Sequence, residues 1–516
     1  MNLGSLRHWS TASGAVVAEL PTELGVDDIF AGLGQLEGLL FLDSSSARMT
    51  DQEAIAGQGR PATVGPLDRF SFLAADPIFN FGVPAASTAA QVRGLLGEMQ
   101  RLLQDCDCPT IPGLPPFQGG LAGLISFDAG LALLGVETAV AKRSNAPMLQ
   151  LGVYDVVYAF DHHRRQGWVI SQGLPASGPG NRRRRARERL EGQLELLGAS
   201  QPEPSRSADG RTVSPRQTLA DAASASARDG MVPLAGSSGV FSTHGPGDYQ
   251  AMVQAGIDYV RAGDIFQVNL AQQFWVPLAC DAQKLYRQAR QLNPAPFAGF
   301  FAAGEVSIAS MSPERFLKVT RDRVWMHPIK GTRRMIASPE ADLWAGADLG
   351  ASEKDRAENV MIVDLVRNDL ARVCRPESVA VEALCRLERF RYVQHLVSVV
   401  TGRLAAGAGP LDAMLAGFPG GSVTGAPKQR ACEIIVELER VARGPYCGSL
   451  GYVGFDGSAD FNLLIRTFVV GPEEILFSAG GGITAGSEPA AEYAESLHKA
   501  EGMLRVIAAV AGEDAA

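Results

Sequence analysis

The chain has 516 residues, 46% hydrophobic and 20% charged. That is a globular composition, long enough for one large or two medium domains and unlike a disordered chain. Lys and Arg number 47 against 56 Asp and Glu, a net charge of −9, so neither nucleic acid nor an anionic membrane is an expected partner.

The first 25 residues carry Glu19 and Glu23 and lack a basic start followed by an apolar run, so no secretory signal is expected. Residues 1–15 read as a loose leader and 16–197 as a first domain. The weakly polar stretch 119–136 holds Asp128 and is diluted by glycine. It is too polar for a bilayer span and reads as buried strands. Residues 117–128 and 151–160 are apolar, β-branched or aromatic, and read as strands. The basic run Arg182 to Arg185 leads into a segment of alternating charge sign, as expected of a solvated helix face. Residues 198–240 are dominated by Ser, Ala, Pro, Gly and Asp and read as a flexible linker. The seven cysteines are scattered, and only Cys106 and Cys108 lie close. No second ligand pair follows them, so free thiols in a reducing cytoplasm are expected rather than zinc.

Residues 241–510 form the second domain. Helices are expected over 248–262, over 352–373 with Ser352 as N-cap, over 426–442 with Pro427 near the start, and over 489–506. Strands are expected over 265–276, 305–310, 315–319, 448–455, 462–470 and 474–479.

Two of these helices start with paired acids. Asp355 and Glu358 lie three apart and share a helix face, as do Glu492 and Glu495, with Lys499 four further on. Two such helices meeting would make a hard oxygen site suited to Mg²⁺. Asp355 can equally close a capping box with Ser352. The glycine-rich turns Gly420-Gly-Ser-Val-Thr424-Gly-Ala-Pro-Lys428 and Gly480-Gly-Gly482-Ile-Thr484 could present backbone N–H groups to an anion or serve as plain turns. Arg466 is a lone charge among apolar residues and needs an anionic partner, from the protein or from a ligand. Lys330, in His327-Pro-Ile-Lys330-Gly-Thr, becomes a nucleophile or base if desolvated. Glu314 could serve as a general acid if buried and protonated, or pair with an Arg. His395 lies in an apolar segment that also suits a core histidine.

In order along the chain, Asp264-Ile-Phe-Gln-Val-Asn-Leu270, Asn293-Pro-Ala-Pro-Phe297, Ser312-Pro-Glu-Arg-Phe316, Pro328-Ile-Lys-Gly-Thr332, Lys354-Asp-Arg-Ala-Glu358, Gly420–Lys428, Gly444-Pro-Tyr-Cys-Gly448 and Gly480-Gly-Gly-Ile483 resemble the chorismate-utilising enzymes. The resemblance is to the component I type of aminodeoxychorismate synthase, itself similar to component I of anthranilate synthase. It is strong over about 245–505 and weaker before. It implies an α+β fold: two antiparallel β-sheets packed as a sandwich, helices outside, the two sequence halves intertwined.

The resemblance also implies a role for each matched position. Glu358 and Glu495 would hold Mg²⁺, with Asp355 and Glu492 close by. The ion would bind the ring carboxylate of chorismate. Tyr446 and Arg466 would grip the enolpyruvyl carboxylate, helped by the backbone near Gly482. Thr424 and Lys499 would line the site. His395 would lie near the departing hydroxyl, which Glu314 would protonate. Lys330 would separate the aminodeoxychorismate branch from anthranilate synthases, which typically carry alanine there; isochorismate and salicylate synthases also carry a lysine, as a base for water, and the Pro-Ile-Lys-Gly-Thr context and the first domain favour the amino-transferring branch. The chain shows no Cys-His-Glu glutaminase segment, so ammonia would come from a separate glutamine amidotransferase subunit. Anthranilate synthase component I, and a non-catalytic paralogue that binds an aromatic ligand, are the other readings. Relatives that bind tryptophan usually show Leu-x-Glu-Ser, where this chain has Leu40-Phe-Leu-Asp43-Ser44.

Overall fold

The computed structural model describes residues 1–44, 67, 69–85, 87–106, 108–137, 144–199, 230–277, 280–334, 338–389 and 393–512. Among them, two antiparallel sheets of fourteen and ten strands carry the architecture. Both sheets draw on both halves of the sequence. In the larger sheet Leu40–Asp43 pairs with Phe297–Ala303. In the smaller, Gly120–Ile125 pairs with Ser449–Gly454. The expected α+β sandwich with intertwined halves is therefore present.

Three apolar layers hold it together. Phe72, Leu124, Ile308, Leu450 and Leu476 belong to one cluster between the sheets. Helices Ala282–Leu292 and Pro489–Ala511 cover the larger sheet through a second cluster that includes Leu285, Tyr286, Met503 and Val506. Helices Ala89–Asp105 and Glu353–Ala371 contribute Val92, Leu96, Ile362 and Val366 to a third. Gln267–Val276 is buried along its whole length, as expected for a strand covered on both faces.

Several sequence expectations shift. The stretch 1–15 contains a strand, His8–Ser10, paired with Val16–Glu19, and the amino terminus donates to the Leu194 carbonyl. Residues 119–136 are half strand and half helix, because Phe127–Leu134 is helical. The segment 151–160 divides at Asp155 between Leu149–Tyr154 and Val156–Asp161. Helix Ala89–Asp105 was legible but not expected: Thr88 and Gln91 form its capping box. Helix Pro179–Ala199 is not simply a solvated face. Arg182 is buried and donates to the Gln172 carbonyl, and Arg189 reaches buried Asp155. Of the expected linker, 200–229 lies outside the described residues, while Val232–Pro233 pairs with Phe241–Ser242. No helix among the described residues is long and apolar enough to cross a membrane, and all seven cysteines are free thiols.

Candidate active site

Two strand paths cross between the sheets, and each crossing supplies a side chain. Val306–Ser312 lies in the larger sheet and Arg315–Thr320 in the smaller. Glu314 sits between them. Ala459–Asn462 lies in the smaller sheet and Thr467–Val470 in the larger. Arg466 sits at that break with φ 51°. The expected single strand over 462–470 is thus interrupted, because a chain that changes sheets must bend. The two crossings are tied together. Ser312 Oγ donates to the Leu463 carbonyl at 2.6 Å, and Met311 N donates to the Arg466 carbonyl at 3.0 Å.

Lys330 lies on Ile329–Arg334, whose pairing with Val393–Arg403 slips between Lys330 and Thr332. Gly331 takes the extra position at φ 74°, the left-handed conformation that a glycine bulge accommodates. Lys330 Nζ donates to the Ser422 carbonyl at 3.1 Å. The Ser422 hydroxyl donates to Glu314 at 2.8 Å. Ser422 therefore bridges the candidate nucleophile and the candidate acid. Burial lowers the Lys330 pKa, opposed by Glu358 and helped by Lys499. Burial raises Glu314 to about 7, against the pull of Ser422 and Lys330. Each group is thereby pushed toward its neutral form. His395 is buried opposite Thr332. Burial and then the Arg466 charge lower its pKa to about 3, so it is a neutral imidazole.

Arg466 forms no ion pair or side-chain hydrogen bond with any described residue, and burial alone lowers its pKa. A ligand carboxylate is one of the two partners open to it. Replacing Arg466 with Gln is expected to raise the KM for an anionic substrate about 10- to 100-fold, the loss of a charge-assisted hydrogen bond. Steady-state kinetics on the purified variant checks this, and an unchanged KM would remove Arg466 from the site.

The acidic helices meet as expected. Lys354 Nζ lies 3.5 Å from Glu492, which also accepts from Ser487 at 2.7 Å. Lys499 pairs with Glu495 at 2.7 Å and donates to the Gly480 carbonyl. Burial raises the Glu358 pKa, with Lys330 opposing. Burial would also raise Glu495, but Lys499 overcomes it and holds the pKa low. Asp355 packs against the bulge: a Cβ built on Gly331 would lie 3.1 Å from its Oδ1. Among the described residues no three His, Cys, Asp or Glu side chains are gathered tightly enough to hold an ion alone. An Mg²⁺ ion needs only one or two protein carboxylates, the rest of its shell being water and an anionic substrate.

Glycines form the floor. A Cβ on Gly481 would lie 3.2 Å from Glu492 Oε2, and one on Gly482 would lie 3.3 Å from Lys330 Nζ. Tyr446 is buried, with its ring 5.7 Å from the Arg443 guanidinium. Thr424 is buried and its hydroxyl bends back to the Gly420 carbonyl at 3.0 Å, so it braces the turn.

Two site residues escaped the sequence reading, Ser422 and Gln267. Gln267 is fully buried, and neither of its amide atoms has a hydrogen-bond partner among the described residues. Its Nε2 would be 2.4 Å from a Cβ on Gly482, beside Lys330. The signal was an amide within an otherwise apolar buried strand, where polar groups need partners.

Lys428 is not an anion ligand. It is buried, with Nζ 2.7 Å from Asp369 and 2.6 Å from the Gly417 carbonyl. It ties the glycine-rich turn to helix Glu353–Ala371. Lys428→Met is expected to destabilise the fold by about 3–5 kcal/mol, because it strands a buried carboxylate. Adding Asp369→Leu should recover most of that loss, as read by urea unfolding. Asp43, at the position expected to shorten the reach toward tryptophan, accepts from Ser71 at 3.1 Å and from Arg290 at 2.9 Å.

The chorismate binding enzyme family model matches residues 56–505. Aminodeoxychorismate synthase component 1 of Klebsiella aerogenes is 38% identical over 389 residues, covering 75% of this chain and 77% of that protein. Anthranilate synthase component 1 of Thermus thermophilus is 35% identical over 450 residues, covering 87% and 89%. The crystal structure of anthranilate synthase component I from Streptococcus pneumoniae superposes with a TM-score of 0.69 at 28% identity, covering 89% of this chain and 98% of that one.

Proposed function

The chain belongs to the chorismate binding enzyme family, and we propose that within it this protein acts as component I of aminodeoxychorismate synthase. It would convert chorismate and ammonia to 4-amino-4-deoxychorismate, the precursor of 4-aminobenzoate and folate. Relatives of both the aminodeoxychorismate and anthranilate types match at similar identity. The reading therefore rests on one observation: a desolvated Lys330, held through Ser422 beside a Glu314 whose pKa is about 7.

Glu314 holds its proton up to about pH 7, and Lys330 is biased toward the free amine. The amine adds at C2, both ring double bonds shift toward C4, and the C4 hydroxyl leaves as water with the Glu314 proton. Ammonia then adds at C4, both double bonds shift back, and the Lys330 amine departs. The enolpyruvyl group stays on the ring. Arg466 and Tyr446 would hold its carboxylate, and neutral His395 would face the departing hydroxyl. Glu358 and Glu495 would hold Mg²⁺, backed by Asp355 and Glu492, with Lys499 alongside. When bound, the ion supplies positive charge to the ring carboxylate. A separate glutamine amidotransferase subunit would deliver ammonia, in the cytoplasm.

The test is to incubate purified protein with chorismate, Mg²⁺ and an ammonium salt at mildly alkaline pH and to weigh the product. Amine in place of hydroxyl, with no pyruvate released, is the expected outcome. Fluorescent anthranilate plus pyruvate would move the protein to the other branch.

A further inference from the structure

Asn359 lies one residue past Glu358, inside helix Glu353–Ala371, and is fully buried. One step along a helix turns about 100°, so Asn359 faces the sheet while Glu358 stays partly exposed. Asparagine is a poor residue for a helix interior, and a buried amide needs partners. Both polar atoms of this one are engaged. Nδ2 donates to the Leu396 carbonyl at 3.3 Å, and Oδ1 accepts from the Ser398 hydroxyl. That hydroxyl in turn accepts from Cys385 N at 2.9 Å. Cys385 sits at φ 48°, a left-handed conformation that a residue other than glycine keeps only where its surroundings hold it.

These contacts converge on the strand beside the candidate nucleophile. Leu396 is paired with Lys330, and Ser398 N donates to the carbonyl of Pro328 at 3.1 Å, two residues before Lys330. One amide thus joins the helix of Glu358 to the strand that places Lys330. Further along the same helix Ile362, Val363 and Val366 pack into an apolar cluster. Hydrophobic contact is non-directional. It holds helix and sheet together but does not fix how far one slides along the other. Two hydrogen bonds from a single planar amide do. The charges show that the two ends are near each other. After burial, Lys330 acts most strongly on the ionisation of Glu358, and Glu358 on that of Lys330.

We propose that Asn359 is a positioning residue that sets Glu358 relative to Lys330, by locking helix Glu353–Ala371 in register on strand Val393–Arg403. The proposal rests on the reading above, in which those two side chains serve one reaction. Asn359 acts indirectly, through Leu396 and Ser398. A misplacement of about 1 Å between reacting groups costs about 100-fold in rate, so a small slide of the helix is enough to matter.

The test compares kcat per folded enzyme, read as chorismate loss with Mg²⁺ and an ammonium salt. Asn359→Leu keeps the volume and removes both bonds. It is expected to lower kcat about 100-fold, with the chorismate KM little changed because Arg466 and Tyr446 lie outside this helix and strand. Ser398→Ala breaks the same network from the strand side. The double variant should be no slower than Asn359→Leu alone, because one network is broken only once. Val366→Ala loosens the same helix through its apolar packing. It should lower stability in urea and leave kcat nearly unchanged. Metal-free protein gives a readout without turnover: amide hydrogen exchange across residues 393–399 should quicken in Asn359→Leu and not in Val366→Ala. An unchanged kcat in Asn359→Leu overturns the proposal. So does an equal loss in Val366→Ala, or losses in Asn359→Leu and Ser398→Ala that multiply in the double variant. Product analysis is separate. Wild-type protein that consumes chorismate without incorporating nitrogen overturns the amination reading, and the kcat comparison still decides the role of Asn359.

Discussion

Lys330→Ala is expected to reduce formation of 4-amino-4-deoxychorismate about 1,000-fold or more, equivalent to about 4 kcal/mol in the barrier. The first displacement needs a nucleophile at C2. Ser422, the neighbour that bridges to the acid, presents its carbonyl to Lys330 and spends its hydroxyl on Glu314. Chorismate affinity should change little, because the proposed carboxylate-binding roles belong to Arg466, Tyr446 and the acidic helices. The truncation also opens the space beside Gln267 and Gly482. Ammonia reaching that space would meet C2 rather than C4. Residual nitrogen in the variant is therefore expected at C2, which nuclear magnetic resonance of the product distinguishes directly. Wild-type rates of C4 amination in Lys330→Ala would rule out covalent participation by this lysine. The chemistry would then revert to direct attack by ammonia.

Much of this site was legible before the fold was known, and the reasons are physical. Helical spacing placed Asp355 with Glu358 and Glu492 with Glu495, because the 3.6-residue period leaves little choice of face. Helix starts were legible where a cap or a proline marks them: Ser352 accepts from Asp355 N, and Pro427 sits just ahead of helix Lys428–Glu439. What stayed hidden were features that depend on a partner far away in sequence. Arg466 looked like part of a continuous strand, because nothing local announces that the chain changes sheets there. Lys428 stood near a helix start behind a glycine-rich turn. Only the packing of helix Glu353–Ala371 brings Asp369 to it. Ser422 looked like turn filler, because its two roles link residues 92 and 108 positions away. For Glu314 the sequence left open whether it is buried or paired with an Arg. Burial raises its pKa, and burial at a sheet crossing is a tertiary fact.

Glu314→Gln is the second large effect expected, and it separates the acid's chemical role from its structural one. The amide can still accept from the Ser422 hydroxyl but cannot release a proton to the departing oxygen. The expected loss is about 100- to 10,000-fold in kcat, the range for removing a general acid, with the chorismate KM nearly unchanged. Stability should move the other way, and its pH window follows from the shift. The ordinary Glu pKa is 4.5, and in the folded protein Glu314 rises to about 7. The folded state therefore holds a proton that the unfolded chain has lost. That contribution to stability is full below about 4.5 and disappears as pH climbs through 7, a fall of about 3 kcal/mol. The Gln variant has no such proton to lose. It should match wild type near pH 5 and exceed it at pH 8, as measured by urea unfolding at the two values. If the difference between variant and wild type were the same at both, the carboxyl would already be ionised in the folded protein. A group that ionised could not protonate the leaving hydroxyl near neutral pH, and the acid would have to be sought elsewhere around Lys330.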